Sequence, residues 1–583
     1  DNLTLFEIHE GLSALMDPTR LATYRFEMEL QSPLLSMSFA GIPVDEGARR
    51  EMVQVFTRQS IHLSEILHEM LEAIGYYDYY INMARHRFSQ YVSLDFFLLP
   101  SSWDEWLALP LSTRRELKQE AGDELALFQK SLKEFNAPFN SNSPAQKLRL
   151  FYHFFGIADN LTAQSYIFPP PWLKTLGIKE YKSRNTKGEY TPAADREALE
   201  KIIKAGHANN LRSAAFWAAP FAHICLEISD LTKTLGFLNC KMENGLFRSS
   251  YGVVTETGRL ASRQNAQGFG SNAQNVSPKL RHIFIAPPGE KFIAIDYGQI
   301  ESRVVAAICF RLFGMDNYLS GVSSGDLHSL AASMVWDNLP WPKDFTIEWT
   351  KRHGPFPKDM LKAAKKLASE PFYRGKSRRD VSKTLGHGTS YLGKPAQMSR
   401  MSHIDVKLIE HYQDVFFSVF PEMRQWHQWV VTQVQTVGEI TTMLGRTRRF
   451  FGRPNDDATI REAVAYEPQS VAADYCNRAL LRLHKLHLAG QFPATIRLSK
   501  HDELAVTCKE SLEEEVLSIM TSTMEEHITL VSPTGTTRDW FVPAEAESGW
   551  NLGRKSESNP DGLSHPLDGR SRSPAKSWTS WRI

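Results

Sequence analysis

The chain has 583 residues, 42% hydrophobic and 23% charged, which is ordinary for a soluble globular protein and long enough for several subdomains. Lysine and arginine total 67 against 66 acids, so the whole is no polycation, and any nucleic-acid affinity must sit in local patches. The five cysteines (Cys225, Cys240, Cys309, Cys476, Cys508) lie far apart without a CxxC pair, which argues against a disulfide framework or a zinc site. With no apolar run of spanning length and no signal peptide, the expectation is a reducing, cytosolic setting and no membrane.

Residues 1 to about 75 read as helices, with an apolar pattern begun by Leu3, Phe6, Ile8 and Leu12 and continued from Tyr24 to Phe39. Gly41 to Asp45 is a turn, Asp45 being placed to cap the next helix. The segment from Tyr76 to Leu111 is unusually aromatic and reads either as a partly buried insertion or as a contact surface. Helical pattern resumes from Ser112 to Phe135, and Asn140 to Pro144 signals the start of a helix over Ala145–Phe155. A basic, polar loop spans 182–194, followed by helices from Asp195 to Ala205 and Leu211 to Leu235; this is either an arm gripping a polyanion or a solvated hairpin. From Leu246 to Ile295 the sequence is strand-like, 302–440 is mainly helical, and 441–455 reads as a hairpin turning near Gly445-Arg446. A long helix over Arg461–His487 and a hairpin over 494–508 follow. The Ser-, Pro- and Gly-rich end from about Lys555 is expected to be disordered.

Three stretches carry chemistry. The first is Lys291 to Arg303, KFIAIDYGQIESR, where a buried strand, Phe292–Ile295, stops at Asp296 before a helix opens. Asp296 there is either a helix cap or a carboxylate offered at the edge of a core. The second is Arg378 to Tyr391, in which Arg379, Lys383, His387 and Tyr391 recur every four residues and share one helical stripe. Cations and flat rings in one row suit a triphosphate, a sugar and a base. Gly386 and Gly388 each weaken such a helix by about 1 kcal/mol, which close approach of a bulky ligand would explain. Upstream, Lys351 to Lys376 is the basic patch that the neutral total conceals. The third is Ala494 to Val506, where alternating apolar residues flank His501-Asp502-Glu503 and put the acids at a hairpin turn. Two carboxylates brought together bind hard divalent cations, and paired metals serve in-line phosphoryl displacement. No Walker A loop or dinucleotide fingerprint is present.

DYGQIESR, RDVSKTLGHGTSYLG and KHDE resemble motifs A, B and C of family A DNA polymerases, in order and suitably spaced. Thr257-Gly258-Arg259-Leu260, Ser271 to Asn275 and Asp326-Leu327-His328 resemble further segments of that family, and the resemblance covers roughly residues 25–550. It implies an α+β right hand with an antiparallel-sheet palm (26–51, 237–301 and 441–554), a mainly helical thumb (52–236, with the aromatic insertion at about 76–115) and helical fingers (302–440). Residues 1–25 would be the last helix of a 3′–5′ exonuclease domain whose body lies elsewhere, and 555–583 the disordered tail. The chain looks phage-like, which would place it in a bacterial host's cytoplasm.

The same resemblance assigns roles. Asp296, Asp502 and the Tyr297 carbonyl would hold two Mg2+ ions, for which Mn2+ substitutes, with Glu503 nearby. Arg379, Lys383 and His328 would meet the incoming triphosphate, Lys383 also as proton donor to pyrophosphate, with Gln299 and His387 at the same nucleotide site. Tyr391 and Glu301 would form the wall that excludes a 2′-hydroxyl. Arg259 and Gln469 would read minor-groove acceptors, with His501, Asn272, Asn275 and Arg461 also on the primer–template DNA. Deoxynucleotides are then the substrates, and a separate exonuclease, helicase or processivity factor the expected partners. His387 stands where the family has Phe or Tyr, so altered dideoxynucleotide discrimination and pH-sensitive turnover are expected. Gly386, Gly298 and Ala465 also depart from the usual residues. A single-subunit RNA polymerase shares the two aspartates, but Glu301 and the HDE turn argue against it, and retention of Arg379 and Lys383 argues against an inactive DNA-binding relic.

Overall fold

The structure, a computed structural model, describes residues 10–11, 16–135, 137–155, 182–184, 190–207 and 214–573. The pattern expected at Leu3 to Leu12 and the centre of the basic loop, 185–189, lie outside the described residues. The chain divides into two compact units, Asp1–Glu46 with Cys240–Ile583, and Gly47–Asn239.

The larger unit is built on a four-stranded antiparallel sheet of β1 (Glu290–Tyr297), β2 (Ala494–Lys500), β3 (Glu503–Lys509) and β4 (Ala544–Gly549), in the order β2-β3-β1-β4. Phe292 to Ile295 is buried without alternation, as a central strand covered on both faces requires. Ile293, Ile295 and Val506 share one core with Val471, Tyr475, Met520 and Met524. Register places Asp296 opposite Glu503 on one side and Glu545 on the other. The helices that matter for the site are α1 (Pro18–Ala40), α2 (Ile300–Phe313), α3 (Leu327–Val335), α4 (Arg378–Ser390) and α5 (Asp457–Leu488). The hairpin expected at 441–455 pairs Glu439–Thr441 with Thr447–Arg449, so it turns at Gly445-Arg446 but starts earlier.

The smaller unit turns the aromatic segment into its own core. Tyr76, Phe88, Trp106, Phe128, Phe135, Phe151 and Phe154 are all buried, with Tyr80 stacked on Phe135 at 4.9 Å and Phe88 on Phe128 at 4.6 Å. Aromatic density here means packing of short helices, while Phe97, Leu98 and Leu111 stay strongly exposed. Ser143 caps Pro144–Leu148 as its sequence signal requires, and the chain continues as a π-helical turn over Arg149–Phe154. The helices Arg196–Gly206 and Ala214–Leu238 form a hairpin that is anchored rather than solvated, since Leu199, Ile202, Phe221 and Cys225 join the aromatic core.

The end of the chain is the clearest correction. Residues 555–573 are folded onto the sheet, not disordered: Ser564 bridges Ser548 at the edge of β4, and Arg570 donates to the carbonyls of Pro560, Gly562 and Ser548. Trp550 lies between Lys291, 4.6 Å from its ring centre, and Arg570 at 5.5 Å. Composition missed this because backbone pairing, closely apposed at Gly549 and Gly562, does the joining. Deleting 556–583 uncovers Trp550 and Leu552 and frees the edge of β4. It is expected to lower unfolding free energy by about 3 kcal/mol or more, read by urea denaturation; an unchanged midpoint would show the strap to be dispensable. Among the described residues no helix is long and apolar enough to cross a membrane.

Candidate active site

Asp296 is the penultimate residue of β1 and does not cap the following helix. The chain passes Gly298 and turns through Gln299, which adopts the left-handed conformation (φ 56°) at the start of α2 without a side-chain cap. Freed from capping, the Asp296 carboxylate is open to the cleft. The β2–β3 hairpin delivers the second carboxylate. Lys500 pairs with Glu503, leaving His501 (φ 56°) and Asp502 as a two-residue turn. The Tyr297 N–H donates to the Asp502 carbonyl at 3.2 Å, locking the turn to the end of β1.

Asp296 and Asp502 share a cleft of about 900 Å³ with Arg259, Tyr297, Gln299, Glu301, His328, Arg379, Lys383, His387 and His501. Its lower wall is Tyr318, Tyr412 and Phe416. Although open at the mouth, the cleft is deep enough that desolvation leads the electrostatics. Burial, then the charges of Asp502, Glu503 and Glu545, push the Asp296 carboxyl up to about 7, and burial raises Asp502 as well. Anions crowded in this way are a site awaiting positive charge. Among the described residues no three His, Cys, Asp or Glu side chains form a closed metal cluster. The donor set is instead an open pair of hard oxygens, which suits a cation that takes its other ligands from water or phosphate.

The wall beside the aspartates is a clamp on one glutamate. Glu301, on the first turn of α2, accepts from Arg259 Nη2 at 2.5 Å through one oxygen and from the Tyr391 hydroxyl at 2.5 Å through the other. Tyr391 sits just past the last residue of α4 and stays protonated, since burial and the adjacent Glu301 raise its pKa. The turn before Arg259 is fixed in turn by Asn477, whose Nδ2 donates to the Gly258 carbonyl at 2.9 Å.

On α4, Arg379, Lys383 and His387 form the expected stripe facing the cleft, and the His387 ring meets Tyr391 edge-on at 4.9 Å. The two glycines differ in setting. Gly386 lines the cleft, where a Cβ would also stand 3.0 Å from the Tyr412 hydroxyl, whereas a Cβ on Gly388 would stand 2.5 Å from Met398 Cε, so that glycine lies against a neighbouring helix. Arg379 is paired with Asp326, Nε to Oδ2 at 2.9 Å and Nη2 to Oδ1 at 3.2 Å. Burial alone would raise the Asp326 pKa, but the bonds from Arg379 and Ser329 outweigh it and hold it low. His328 is pushed down to about 4, chiefly by burial, and is neutral at ordinary pH.

Glu503 lies near the aspartates as expected, opposite Asp296 and close enough for its charge to raise that carboxyl, while pairing with Arg281 at 3.5 Å. Other expected residues are not part of the cleft lining. Asn272 is engaged in structure, accepting from the N–H groups of Gln274 and Asn275 and from Ser262, while Asn275 is exposed. Arg461, 3.9 Å from Asp457, and half-buried Gln469 lie on α5 outside the cleft. The cleft also holds Glu545, which sequence reasoning missed. An alternating Ala-Glu-Ala-Glu strand gives no local sign of which acid faces a site.

The family model of DNA polymerase family A matches residues 112–340 and 362–542. DNA polymerase I of Chloroflexus aurantiacus is 24% identical over 503 residues, 84% of this chain and 45% of that protein. DNA polymerase I B (chloroplastic/mitochondrial) of Arabidopsis thaliana is 25% identical over 307 residues, 51% of this chain and 28% of that one. The thermostable DNA polymerase I of Thermus filiformis is 28% identical over 306 residues, 50% and 32% of the two chains. The chain thus spans about a quarter to a half of the length of these relatives. The fold resembles that of the POL domain of Pol1 from M. smegmatis, solved in complex with DNA primer-template and dNTP. That match has a TM-score of 0.57 at 18% identity and covers 90% of this chain and 70% of the other. With well over half its residues matched by that one family model, the chain belongs to DNA polymerase family A.

Proposed function

We propose that the chain is a template-directed DNA polymerase, adding deoxynucleotides to a primer 3′ end by divalent-metal-assisted phosphoryl transfer. One observation carries the reading: two like-charged carboxylates, Asp296 and Asp502, share a cleft with Arg379 and Lys383 and with the Glu301–Tyr391 clamp. Asp296, Asp502 and the Tyr297 carbonyl would hold magnesium, or manganese in its place. Magnesium there supplies charge neutralisation for the attacking 3′ oxygen and the leaving pyrophosphate. The chain's own groups do the rest. Arg379 and Lys383 bind phosphate oxygens, and Lys383, exposed on α4, delivers a proton to the departing pyrophosphate. His328, uncharged before nucleotide arrives, offers one neutral N–H. Glu301 and Tyr391 close the sugar side, and Arg259, beside them, faces the minor-groove edge of the new pair.

Primer extension on a defined template with magnesium tests this, comparing deoxy- with ribonucleotides and using Asp502→Ala as control. Templated extension with deoxynucleotides alone, lost in the variant, is expected. Extension with ribonucleotides would make it an RNA polymerase, and binding without extension a DNA-binding relic. A finer outcome concerns His387, whose ring meets Tyr391 edge-on and carries an N–H donor that a phenyl ring lacks. His387→Phe removes that donor and is expected to shift dideoxy-over-deoxy selectivity by about tenfold, the worth of one hydrogen bond. Equal selectivity in the two proteins would remove His387 from sugar recognition.

A further inference from the structure

Arg379 reaches the cleft already committed. Two of its donors, Nε and Nη2, are spent on Asp326, while Nη1 makes no hydrogen bond among the described residues and the side chain lines the cleft. Asp326 is itself 1% exposed in its side chain and fully engaged, accepting also from Ser329 Oγ at 2.7 Å and from the Ser329 N–H as the cap of α3. Gly325 before it takes φ 100°, and Ser324 Oγ, also buried, accepts from the Asp326 N–H at 3.3 Å. One carboxylate thereby ties the guanidinium on α4 to the first turn of α3, where His328 stands two residues on.

We infer that Asp326 is a positioning residue for triphosphate recognition: it holds the Arg379 guanidinium in one orientation, its remaining donors toward the cleft and at a fixed spacing from His328. The inference rests on the polymerase reading. A free arginine side chain surrenders rotamer entropy when it grips an anion, whereas one already forked onto a carboxylate has lost that freedom before the nucleotide arrives. The bidentate geometry also leaves the unused edge of the planar fork coplanar with the used one, so the direction offered to phosphate is set by Asp326 rather than by the ligand. A plain ion pair that merely staples α3 to α4 would need neither the buried cap nor an open donor edge.

Single-nucleotide incorporation by Asp326→Asn tests this. The expected result is a KM for deoxynucleotide raised about tenfold, with kcat changed less than about threefold and primer–template affinity unchanged. In an Arg379→Ala background the same substitution is expected to add nothing, because its effect runs through Arg379. Additive losses, or a fall in kcat with KM unchanged, would assign Asp326 a structural role and overturn the inference. Should Asp326→Asn fold poorly, Arg379→Lys keeps the charge and abolishes the fork. A parental KM in that variant overturns the inference equally, and a KM raised about tenfold supports it. If the parent chain extends no primer, the polymerase reading fails first and independently.

Discussion

Asp296→Asn is expected to abolish primer extension, by at least about a thousandfold in rate, while making the metal-free protein more stable. Both effects have one cause. Folding carries Asp296 into a deep cleft beside Asp502, Glu503 and Glu545, and its carboxyl rises from an ordinary 3.8 to about 7. A carboxyl whose folded pKa lies above its unfolded value favours the fold fully when protonated, below about pH 3.8, and that contribution is lost as pH rises through about 7. At pH 8 without metal the anion therefore works against the fold, and the neutral amide does not. Melting in EDTA should show the variant's advantage, on the order of 1 °C, at pH 8 and little of it at pH 5. The same proton competes with a bound cation, so the magnesium needed for half-maximal extension should rise as pH falls below about 7. A variant that extends primers, or that melts below its parent at pH 8, would remove Asp296 from the metal site.

That site was legible in the sequence where local pattern and tertiary role coincide. The run Phe292–Ile295 is unbroken because β1 is covered on both faces, and the polar residue that ends it has to face something other than core. The four-residue spacing of Arg379, Lys383 and His387 survives as a stripe because α4 is regular to Ser390. What stayed hidden is what local chemistry imitates. Asp326 caps α3, a local role that accounts for it by itself, so its bond to Arg379, distant in sequence, leaves no further trace. Gly386 and Gly388 signal close approach, but sequence does not say of what: Gly386 lines the cleft beside Tyr412, and Gly388 lies against Met398. The segment 555–573 has the composition of a tail because its order depends on backbone pairing and on Arg570 against Trp550, neither of which shows in hydropathy.

Glu301→Ala is expected to admit ribonucleotides, lowering discrimination against them by about a hundredfold or more while deoxynucleotide efficiency falls far less. The expectation rests on how little freedom Glu301 has. Both oxygens are occupied at 2.5 Å, one by Arg259 and one by Tyr391, so the side chain cannot swing aside for an added hydroxyl. Tyr391 remains a donor at any working pH, because burial and the neighbouring carboxylate both oppose its ionisation. Glu301→Gln separates bulk from charge. The amide fills the same space but has one acceptor for two donors, so it should keep most of the discrimination while loosening Arg259. Tyr391→Phe leaves Glu301 tethered by Arg259 alone and should fall between the two. The measurement is the ratio of kcat/KM for deoxy- and ribonucleotide in each variant. If the alanine variant discriminates like its parent, the wall is not Glu301; if alanine and glutamine fail alike, the charge and its tethers, not the bulk, exclude the 2′-hydroxyl.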